Sequence, residues 1–254
     1  MPLFEPPFSN FESIDHELKA NGFALVNPDD FSKLTKHSLT DWNSLQESWN
    51  HLPPDNYLKD GGHYRKRRHA SLIIDQNGIK LSPHRPHWQP VSYNALHGGI
   101  DRWFEPCEDN FTKENSLNEL LIQLANKFWV NKGLDSKNHP WFVEVHQFRI
   151  DTTDGIGRPT PEGAHRDGVD YVAVLMLQRQ LIKGGETRVF ESVGPQGQRF
   201  TLHEPMSLLV LDDARVVHET TPIQPIDPEG SSQAWRDTLV VTFRREGFQD
   251  SPAQ

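Results

Sequence analysis

The sequence predicts a mainly β fold in which helices flank a sheet-on-sheet or barrel-like core. After Pro140 come short segments rich in Val, Leu, Phe or Thr with turn signals between them, whereas the clearest helical pattern lies before it. The 254 residues fit one domain spanning 1–254. We expect residues 1–140 to form a helical and irregular part that packs on a core built mostly from residues 141–245.

The first half begins with two helical stretches separated by a short strand. Residues 11–18 are compatible with a helix, and residues 23–26 predict a strand bounded by an Asn-Pro pair. A second helix is predicted from residue 30 to about residue 49. Residues 53–107 are rich in Pro, Gly and His, which predicts irregular chain and edge strands.

The clearest helix is predicted to begin at Ser116. Its hydroxyl can cap the backbone while Glu119, three residues later, reaches back to form a capping box, and Gly133 ends the segment. Apolar residues repeat at helical spacing between these ends, so this stripe is expected to be core. The stripe consists of Leu117, Leu120, Leu121, Leu124, Ala125, Phe128 and Trp129.

Strands dominate the prediction for the second half. Each is short, and Gly-Gly, Gly-Pro and Asp-Asp pairs provide turns between them. This pattern is typical of antiparallel sheets packed face to face or closed into a barrel. The predicted strands are residues 141–150, 169–178, 186–191, 207–211 and 238–243.

Composition excludes several classes of partner. A formal net charge of -9 and a pI near 5.8 provide no basic face for phosphates, so nucleic acid is not an expected partner. Cys107 is the single cysteine and cannot form an intrachain disulfide. No apolar run approaches the roughly 18 residues of a membrane span, and the N-terminus has no leader pattern. We therefore expect a cytoplasmic protein.

A candidate metal site is formed by His165, Asp167 and His218. The first two are two residues apart at the start of a predicted strand, so their side chains can share one face, although an H-x-D pattern alone is weak. His218 follows the predicted strand 207–211 and can face the same cavity. Two imidazoles and one carboxylate leave positions open on a metal, as in Fe(II) oxygenases. A structural zinc site usually needs a fourth ligand, and Cys107 has no partner for one.

Arg236 is the candidate anion-binding residue. It lies at the start of the apolar strand-like segment 235–243, where its planar and permanently charged guanidinium can bind a carboxylate in a bidentate manner. The alternative is a surface arginine paired with Asp237 or another acid. The combination of H-x-D, a distant histidine and an arginine on a later strand is much more specific than any of its parts.

The sequence resembles the 2-oxoglutarate/Fe(II) dioxygenases, and within them the L-isoleucine dioxygenase type that hydroxylates free amino acids. The resemblance covers roughly residues 141–243. It implies a double-stranded β-helix core of the jelly-roll, cupin-like type, and Fe(II), 2-oxoglutarate and O₂ as the reacting partners of the site. The motifs that carry it are PTPEGAHRDG at 159–168, GGET at 184–187, VH at 217–218 and RDTLVV at 236–241.

The same resemblance implies roles for the candidate residues. Iron is expected on His165, Asp167 and His218, and the far carboxylate of 2-oxoglutarate on Arg236. The step between residues 218 and 236 is longer than in many members of the superfamily and contains three prolines, which predicts an inserted loop.

Four further residues are secondary candidates. Gln147 can hydrogen-bond 2-oxoglutarate or substrate, and Arg149 can bind a substrate carboxylate, since their strand becomes polar towards the metal motif. Glu162 is a candidate partner for a substrate ammonium group. Thr242 shares a strand face with Arg236 and can donate a hydroxyl contact to 2-oxoglutarate. Each also has an ordinary structural role as an alternative, such as strand-end solvation or a loop carboxylate.

The run Tyr64 to His69 is the one concentrated basic segment. In a strand, Arg65 and Arg67 point one way and Lys66 and Arg68 the other, so half of them can face the cavity, and Arg67 is a candidate for substrate binding. A solvated basic edge is the commoner outcome. The histidines of this region match no metal-ligand spacing and are expected to be structural: His63, His69, His84, His87 and His97.

The predicted function is hydroxylation of an aliphatic C–H of a free L-amino acid or similar small molecule, with decarboxylation of 2-oxoglutarate to succinate. Two alternatives remain open from the sequence. The same cofactors can act on a peptide, a nucleobase or a natural-product intermediate. A cupin-like protein can also use the same metal without redox chemistry.

Overall fold

The computed structural model describes residues 5–228 and 234–252. The first four residues and residues 229–233 of the predicted inserted loop lie outside this description. The helices are Ile14–Asn21 (α1), Pro28–Thr35 (α2), Asn43–Glu47 (α3), Asp109–Thr112 (α4) and Asn115–Lys132 (α5). The strands are Phe23–Val26 (β1), Arg65–Asp75 (β2), Gly78–Leu81 (β3), Trp141–Asp151 (β4), Tyr171–Gln180 (β5), Ile182–Gly184 (β6), Thr187–Glu191 (β7), Gly197–Phe200 (β8), Leu208–Asp212 (β9), Val216–Thr220 (β10), Ile223–Pro225 (β11) and Trp235–Arg244 (β12).

The strands form one large sheet and two small ones. The large sheet has the order β1-β9-β5-β12-β4-β2-β3, with antiparallel pairing throughout. The small sheets are β10-β7-β8 and β11-β6. This architecture confirms the predicted mainly β, jelly-roll type of core. None of the helices in the described ranges is long and apolar enough to cross a membrane.

The two faces of the large sheet have different roles. On β12, Leu239, Val241 and Phe243 belong to the main hydrophobic cluster, which also includes buried residues of the helices. The alternate residues face a cavity between the large sheet and the small sheets. These cavity residues of β12 are Arg236, Thr238, Val240 and Thr242.

Helix α5 covers the opposite face of the large sheet, and its predicted apolar stripe is buried. Phe128 stacks on Tyr171 with ring centroids 3.9 Å apart. Gly133 adopts the left-handed conformation at φ 66° and ends the helix, as predicted. The predicted capping box is wrong, because the helix starts at Asn115 after Glu114 and Ser116 is already inside it. Glu119 instead accepts a hydrogen bond from the Gln123 side chain.

Two predictions for the first half are wrong. The expected helix over residues 30–49 ends at Thr35, because Lys36 adopts a left-handed conformation at φ 58°, and short 3-10 turns and α3 follow. Strand β2 is an eleven-residue strand that pairs with β4 and β3, whereas irregular chain and edge strands were expected. In its polar first half, Arg65 and Arg67 face the cavity rather than solvent, so β2 lacks the apolar pattern of a buried strand.

Strands from both halves of the chain share the large sheet. β1, β2 and β3 come from the first 140 residues; β1 and β2 hydrogen-bond to β9 and β4 of the second half, and β3 extends the sheet by pairing with β2. We therefore propose that residues 1–254 form one domain, in which the first half completes the sheet as well as packing against it.

Candidate metal centre

The backbone brings His165 and His218 together. His165 precedes β5 and His218 is the central residue of β10, and each backbone N–H donates to the carbonyl of the other at 3.0 and 2.9 Å. Such a directly opposed pair places the two side chains side by side. Their ring centroids are 4.6 Å apart. Residues separated by more than fifty positions in sequence thus become neighbours through one antiparallel bridge.

Asp167 completes a group of three potential ligands. One donor atom from each of His165, Asp167 and His218 lies within 4.8 Å of the others. His165 Nε2 is 3.8 Å from Asp167 Oδ1, and His218 Nε2 is 3.8 Å from Asp167 Oδ2. All three side chains line the cavity. The three residues predicted as ligands therefore converge in space.

The protonation of the imidazoles suits a bound cation. Nδ1 of His165 donates to the Gly163 carbonyl at 3.0 Å, which leaves Nε2 with a free lone pair. Burial lowers the pKa of His165, but the charges of Asp167 and Glu162 outweigh burial and raise it, which shows a negative potential at this ring. Burial lowers the pKa of His218 to about 3, so this ring is neutral.

The loop that carries Asp167 is held by Asp213. The Asp213 carboxylate accepts hydrogen bonds from the backbone N–H groups of Asp167, Gly168 and Val169 at 3.0, 2.9 and 3.1 Å. Gly168 has φ +77°, and a Cβ there would lie 2.6 Å from the Tyr93 ring. In the sequence Asp213 is part of an Asp-Asp pair that predicts only a turn, since such a pair carries no sign of a distant backbone partner.

Arg236 lies in the same cavity and is 4% exposed. Within the described ranges its guanidinium has no carboxylate at hydrogen-bonding distance, because Asp237 points to the other face and pairs with Arg149 at 2.7 Å. Burial, with a smaller contribution from Arg179, lowers the pKa of Arg236 to about 9. A buried guanidinium without an acidic partner fits a bound carboxylate.

Comparison with protein families decides the class of this site. A family model described as 2OG-Fe dioxygenase matches residues 46–242, which include the metal-ligand candidates and Arg236. The chain belongs to this family. It is a non-haem iron dioxygenase that uses Fe(II), 2-oxoglutarate and O₂.

Individual relatives agree with the family assignment. The chain is 28% identical over 236 residues to an L-isoleucine-4-hydroxylase from Bacillus thuringiensis, covering 90% of this chain and 92% of the relative. It is 45% identical to a bsmA homolog from Methylobium petroleophilum, whose crystal structure superposes with a TM-score of 0.91 over 99% of this chain and 100% of that one. The crystal structure of IDO from Bacillus thuringiensis is 20% identical, with a TM-score of 0.70 over 92% and 98% of the two chains, and shows the same fold.

The residues of this dioxygenase fit its cofactors. Two imidazoles and one carboxylate are the donor set of a non-haem iron oxygenase with open positions. Thr242 lines the cavity on the same strand face as Arg236, so a hydroxyl and a guanidinium can meet one carboxylate of 2-oxoglutarate. Arg236 and Thr242 are therefore placed where the sequence predicted them.

Two of the other candidates lie outside the cavity. Gln147 and Arg149 share a face of β4, as expected, but that face is directed towards the helices. Gln147 donates to Ser48 Oγ at 2.7 Å, and Arg149 is paired with Asp237. The expectation that Gln147 and Arg149 contact 2-oxoglutarate or substrate is therefore wrong. The polar end of β4 reflects contacts with the helical layer.

Glu162 and Arg67 do line the cavity of the dioxygenase. Glu162 Oε1 is 3.6 Å from His165 Nε2, and its Oε2 is buried without a hydrogen-bond partner in the described chain. Arg65 and Arg67 face the cavity, whereas Lys66 does not line it. Arg65 and Arg67 of the basic run therefore line this cavity, and the commoner alternative of a solvated edge is wrong for these two residues.

A second group of potential metal ligands lies beside the cavity. Glu144 accepts hydrogen bonds from His69 Nε2 and His87 Nδ1, both at 3.1 Å, and His146 Nδ1 accepts from Arg67 at 2.6 Å. Burial is the main cause that lowers the pKa of His87 to about 4, so this histidine is neutral. These hydrogen bonds occupy Glu144 and one nitrogen of each histidine, and the Arg67 charge next to His146 disfavours a second cation. They agree with the structural role expected for His69 and His87.

Proposed function

We propose that this dioxygenase hydroxylates an aliphatic C–H of a free L-amino acid or a closely similar small molecule. The observation that carries the proposal is the content of the cavity. Besides the three candidate iron ligands, it contains three buried guanidinium groups without a carboxylate at hydrogen-bonding distance in the described ranges, namely Arg236, Arg67 and Arg102. One is required for 2-oxoglutarate, and the other two are left for a carboxylate of the substrate.

Each residue has a defined part in this proposal. His165, Asp167 and His218 hold iron, and Arg236 with Thr242 binds the far carboxylate of 2-oxoglutarate. Iron and 2-oxoglutarate, when bound, supply the oxidising chemistry and yield succinate and CO₂. The protein contributes binding and orientation, so that the reacting C–H lies next to the metal and bulk water is excluded.

A zwitterion fits the remaining groups. Arg67 offers a cation to the substrate carboxylate, and the unpartnered Oε2 of Glu162 offers an anion to its ammonium group. Ile150, Val174 and Val240 line the same cavity and can contact an aliphatic side chain. The name of the Bacillus thuringiensis relative, L-isoleucine-4-hydroxylase, supports a free amino acid. A residue inside a peptide lacks the free carboxylate that Arg67 requires, which favours a small molecule over a peptide.

The proposal is tested by anaerobic reconstitution with Fe(II), followed by 2-oxoglutarate, O₂ and a panel of free L-amino acids that begins with L-isoleucine. We expect succinate and an equal amount of product that has gained one oxygen. The N-acetyl derivative and the methyl ester of the best substrate should react at least about tenfold more slowly, because each removes one charge. Equal turnover of the blocked forms, or no stimulation of succinate formation by any amino acid, contradicts the assignment.

A matched pair of variants tests the residues. Arg67→Met should raise KM for the amino acid by about 100-fold, since charge-assisted hydrogen bonds contribute about 1.5–3 kcal/mol each. Lys66→Met changes the next residue of β2, which does not line the cavity, and should leave KM near the wild-type value. Equal KM values for the two variants contradict the role of Arg67.

A further inference from the structure

The side chain of Gln89 connects an arginine to a candidate iron ligand. Its Oε1 accepts a hydrogen bond from Arg102 Nη2 at 2.8 Å and from Asn94 Nδ2 at 3.2 Å. Its Nε2 donates to Asp167 Oδ1 at 3.1 Å. Gln89 is 5% exposed and lines the cavity, so its amide group is largely shielded from bulk solvent. Gln89 thus links the Arg102 guanidinium to the Asp167 carboxylate through one hydrogen bond to each.

Arg102 is the second guanidinium next to Arg67. Both are buried, both line the cavity, and neither has a carboxylate within hydrogen-bonding distance in the part of the chain that the structure describes. Arg67 lies between two aromatic rings, with its guanidinium carbon 3.6 Å from the Phe104 centroid and 4.3 Å from the Phe148 centroid. This sandwich fixes the plane of the guanidinium. One nitrogen, Nη2, donates to His146, whereas Nε has no hydrogen-bond partner among the described residues.

Two of the nearby acids, Asp55 and Glu144, are already engaged. Asp55 accepts a hydrogen bond from Arg65 Nε at 2.7 Å and is 3.8 Å from Arg67 Nη1. Glu144 is hydrogen-bonded to two histidines. Burial lowers the pKa of Arg102 to about 10, and it also lowers the pKa of Arg67. Two desolvated cations with no hydrogen-bonded anion form an anion site that the fold itself leaves unfilled.

We propose that Arg67 and Arg102 together bind the carboxylate of the substrate, and that Gln89 couples this subsite to the iron ligand Asp167. The inference deepens the proposed function and rests on it for the identity of the ligand. A carboxylate bound to Arg102 holds its guanidinium in place. Gln89, hydrogen-bonded to that guanidinium, then holds the Asp167 side chain in one rotamer through its hydrogen bond to Oδ1. Binding of substrate thereby sets the geometry of the metal centre, so that oxidation of 2-oxoglutarate is coupled to the presence of substrate.

Metal binding tests the Gln89 contact without turnover. Co(II) is titrated into the wild type, Gln89→Leu and Gln89→Glu under anaerobic conditions. Glutamate retains an acceptor for Arg102 but loses the donor to Asp167, so both variants should bind Co(II) about 10- to 100-fold more weakly. Gln123→Leu on α5 is the matched control and should bind as the wild type does. Wild-type affinity in both Gln89 variants overturns the coupling.

The substrate side is tested with the same protein. Addition of L-isoleucine should change the visible absorption of the Co(II) form of the wild type, and this response should be lost in Gln89→Leu and Arg102→Met. In the Fe(II) enzyme, Arg102→Met should raise KM for the amino acid by about 100-fold without changing the affinity for 2-oxoglutarate, whereas Arg102→Lys should recover part of the loss. An unchanged KM in Arg102→Met overturns the carboxylate subsite.

The coupling of 2-oxoglutarate oxidation to hydroxylation is measured by the ratio of succinate to hydroxylated product. Gln89→Leu should form succinate in excess over hydroxylated product, while the wild type forms them in equal amounts. A ratio that stays at one in Gln89→Leu contradicts the proposal. If no amino acid supports hydroxylation, the proposed substrate class fails, yet weak Co(II) binding in the Gln89 variants still supports the contact with Asp167, so the two failures are distinguishable.

Discussion

Replacing Arg236 with methionine should stabilise the protein in the absence of ligand while abolishing its response to 2-oxoglutarate. Burial lowers the pKa of Arg236 to about 9, well below the ordinary value for an arginine, and one pKa unit corresponds to about 1.4 kcal/mol, so holding this charge in the ligand-free protein costs about 5 kcal/mol. Because a cation with a lowered pKa weakens the folded state, the full cost applies below pH 9 and disappears as the pH rises through the ordinary pKa of arginine.

Methionine removes the charge and retains much of the apolar stem. Removing the energetic cost of the buried charge should stabilise the protein by more than the loss of the arginine's packing contacts destabilises it. At about 2–4 °C per kcal/mol for a chain of this size, we expect the Tm of ligand-free Arg236→Met to rise by at least about 5 °C. The wild type should gain about 2.7 kcal/mol from 2-oxoglutarate at a hundred times its Kd, and the variant should gain nothing.

Arg149→Met should change Tm in the opposite direction. Arg149 is a partly buried arginine with a side chain 13% exposed, but it is paired with the buried Asp237 at 2.7 Å, so its removal leaves that carboxylate without this partner and should lower Tm. The measurement is thermal unfolding at pH 7 with Co(II) bound, with and without 2-oxoglutarate. A less stable ligand-free Arg236→Met that still gains stability from 2-oxoglutarate would refute both the energetic argument and the binding role.

Three further predictions concern the ligands, acid stability and the core. Asp167→Ala and His165→Ala should each lose metal binding and all turnover, measured as metal content after dialysis and as succinate formed; retention of bound iron in both contradicts the ligand assignment. Burial lowers the pKa of His87 to about 4, against an ordinary 6.5, so this histidine can be protonated in the unfolded chain but not in the folded protein between these pH values. The free energy of unfolding should therefore fall by about 3 kcal/mol as the pH falls from 6.5 to 4. The urea midpoint of His87→Gln, which lacks this group, should fall less steeply over the same range than that of the wild type. Phe128→Ala should lower the free energy of unfolding by about 3–5 kcal/mol through loss of the buried ring stack, whereas Val130→Ala at an exposed position of the same helix should change it by less than about 0.5 kcal/mol; equal effects contradict the packing described for α5.

The metal-ligand candidates were predictable because the residue types and their order along the chain indicate them directly. An H-x-D pair at a strand start, a later histidine and a strand arginine are rare in combination, and the structure brings them into one cavity. The second-half strands were predictable for a similar reason, since apolar runs between turn signals leave little choice of local structure. β4 and β12 extend the predicted segments by only a few residues.

The rest required the tertiary structure. The alternation of β4 shows that Val143, Val145, Gln147 and Arg149 share a face, but only the packing of the helices shows that this face is turned away from the cavity. Gln89 and Arg102 lie in a segment without regular periodicity, so no local pattern marks their contact with Asp167.

The sequence by itself determined which chemical groups this protein has and where its second-half strands form, because residue type and short-range periodicity depend on neighbours along the chain. Only the tertiary structure decided which of those groups meet, since sheet order and the side on which helices pack are set by contacts between distant residues. The lack of a hydrogen-bonded carboxylate on Arg236, Arg67 and Arg102 within the described residues belongs to this second class, because Asp237, Asp55 and Glu144 are bound to other groups.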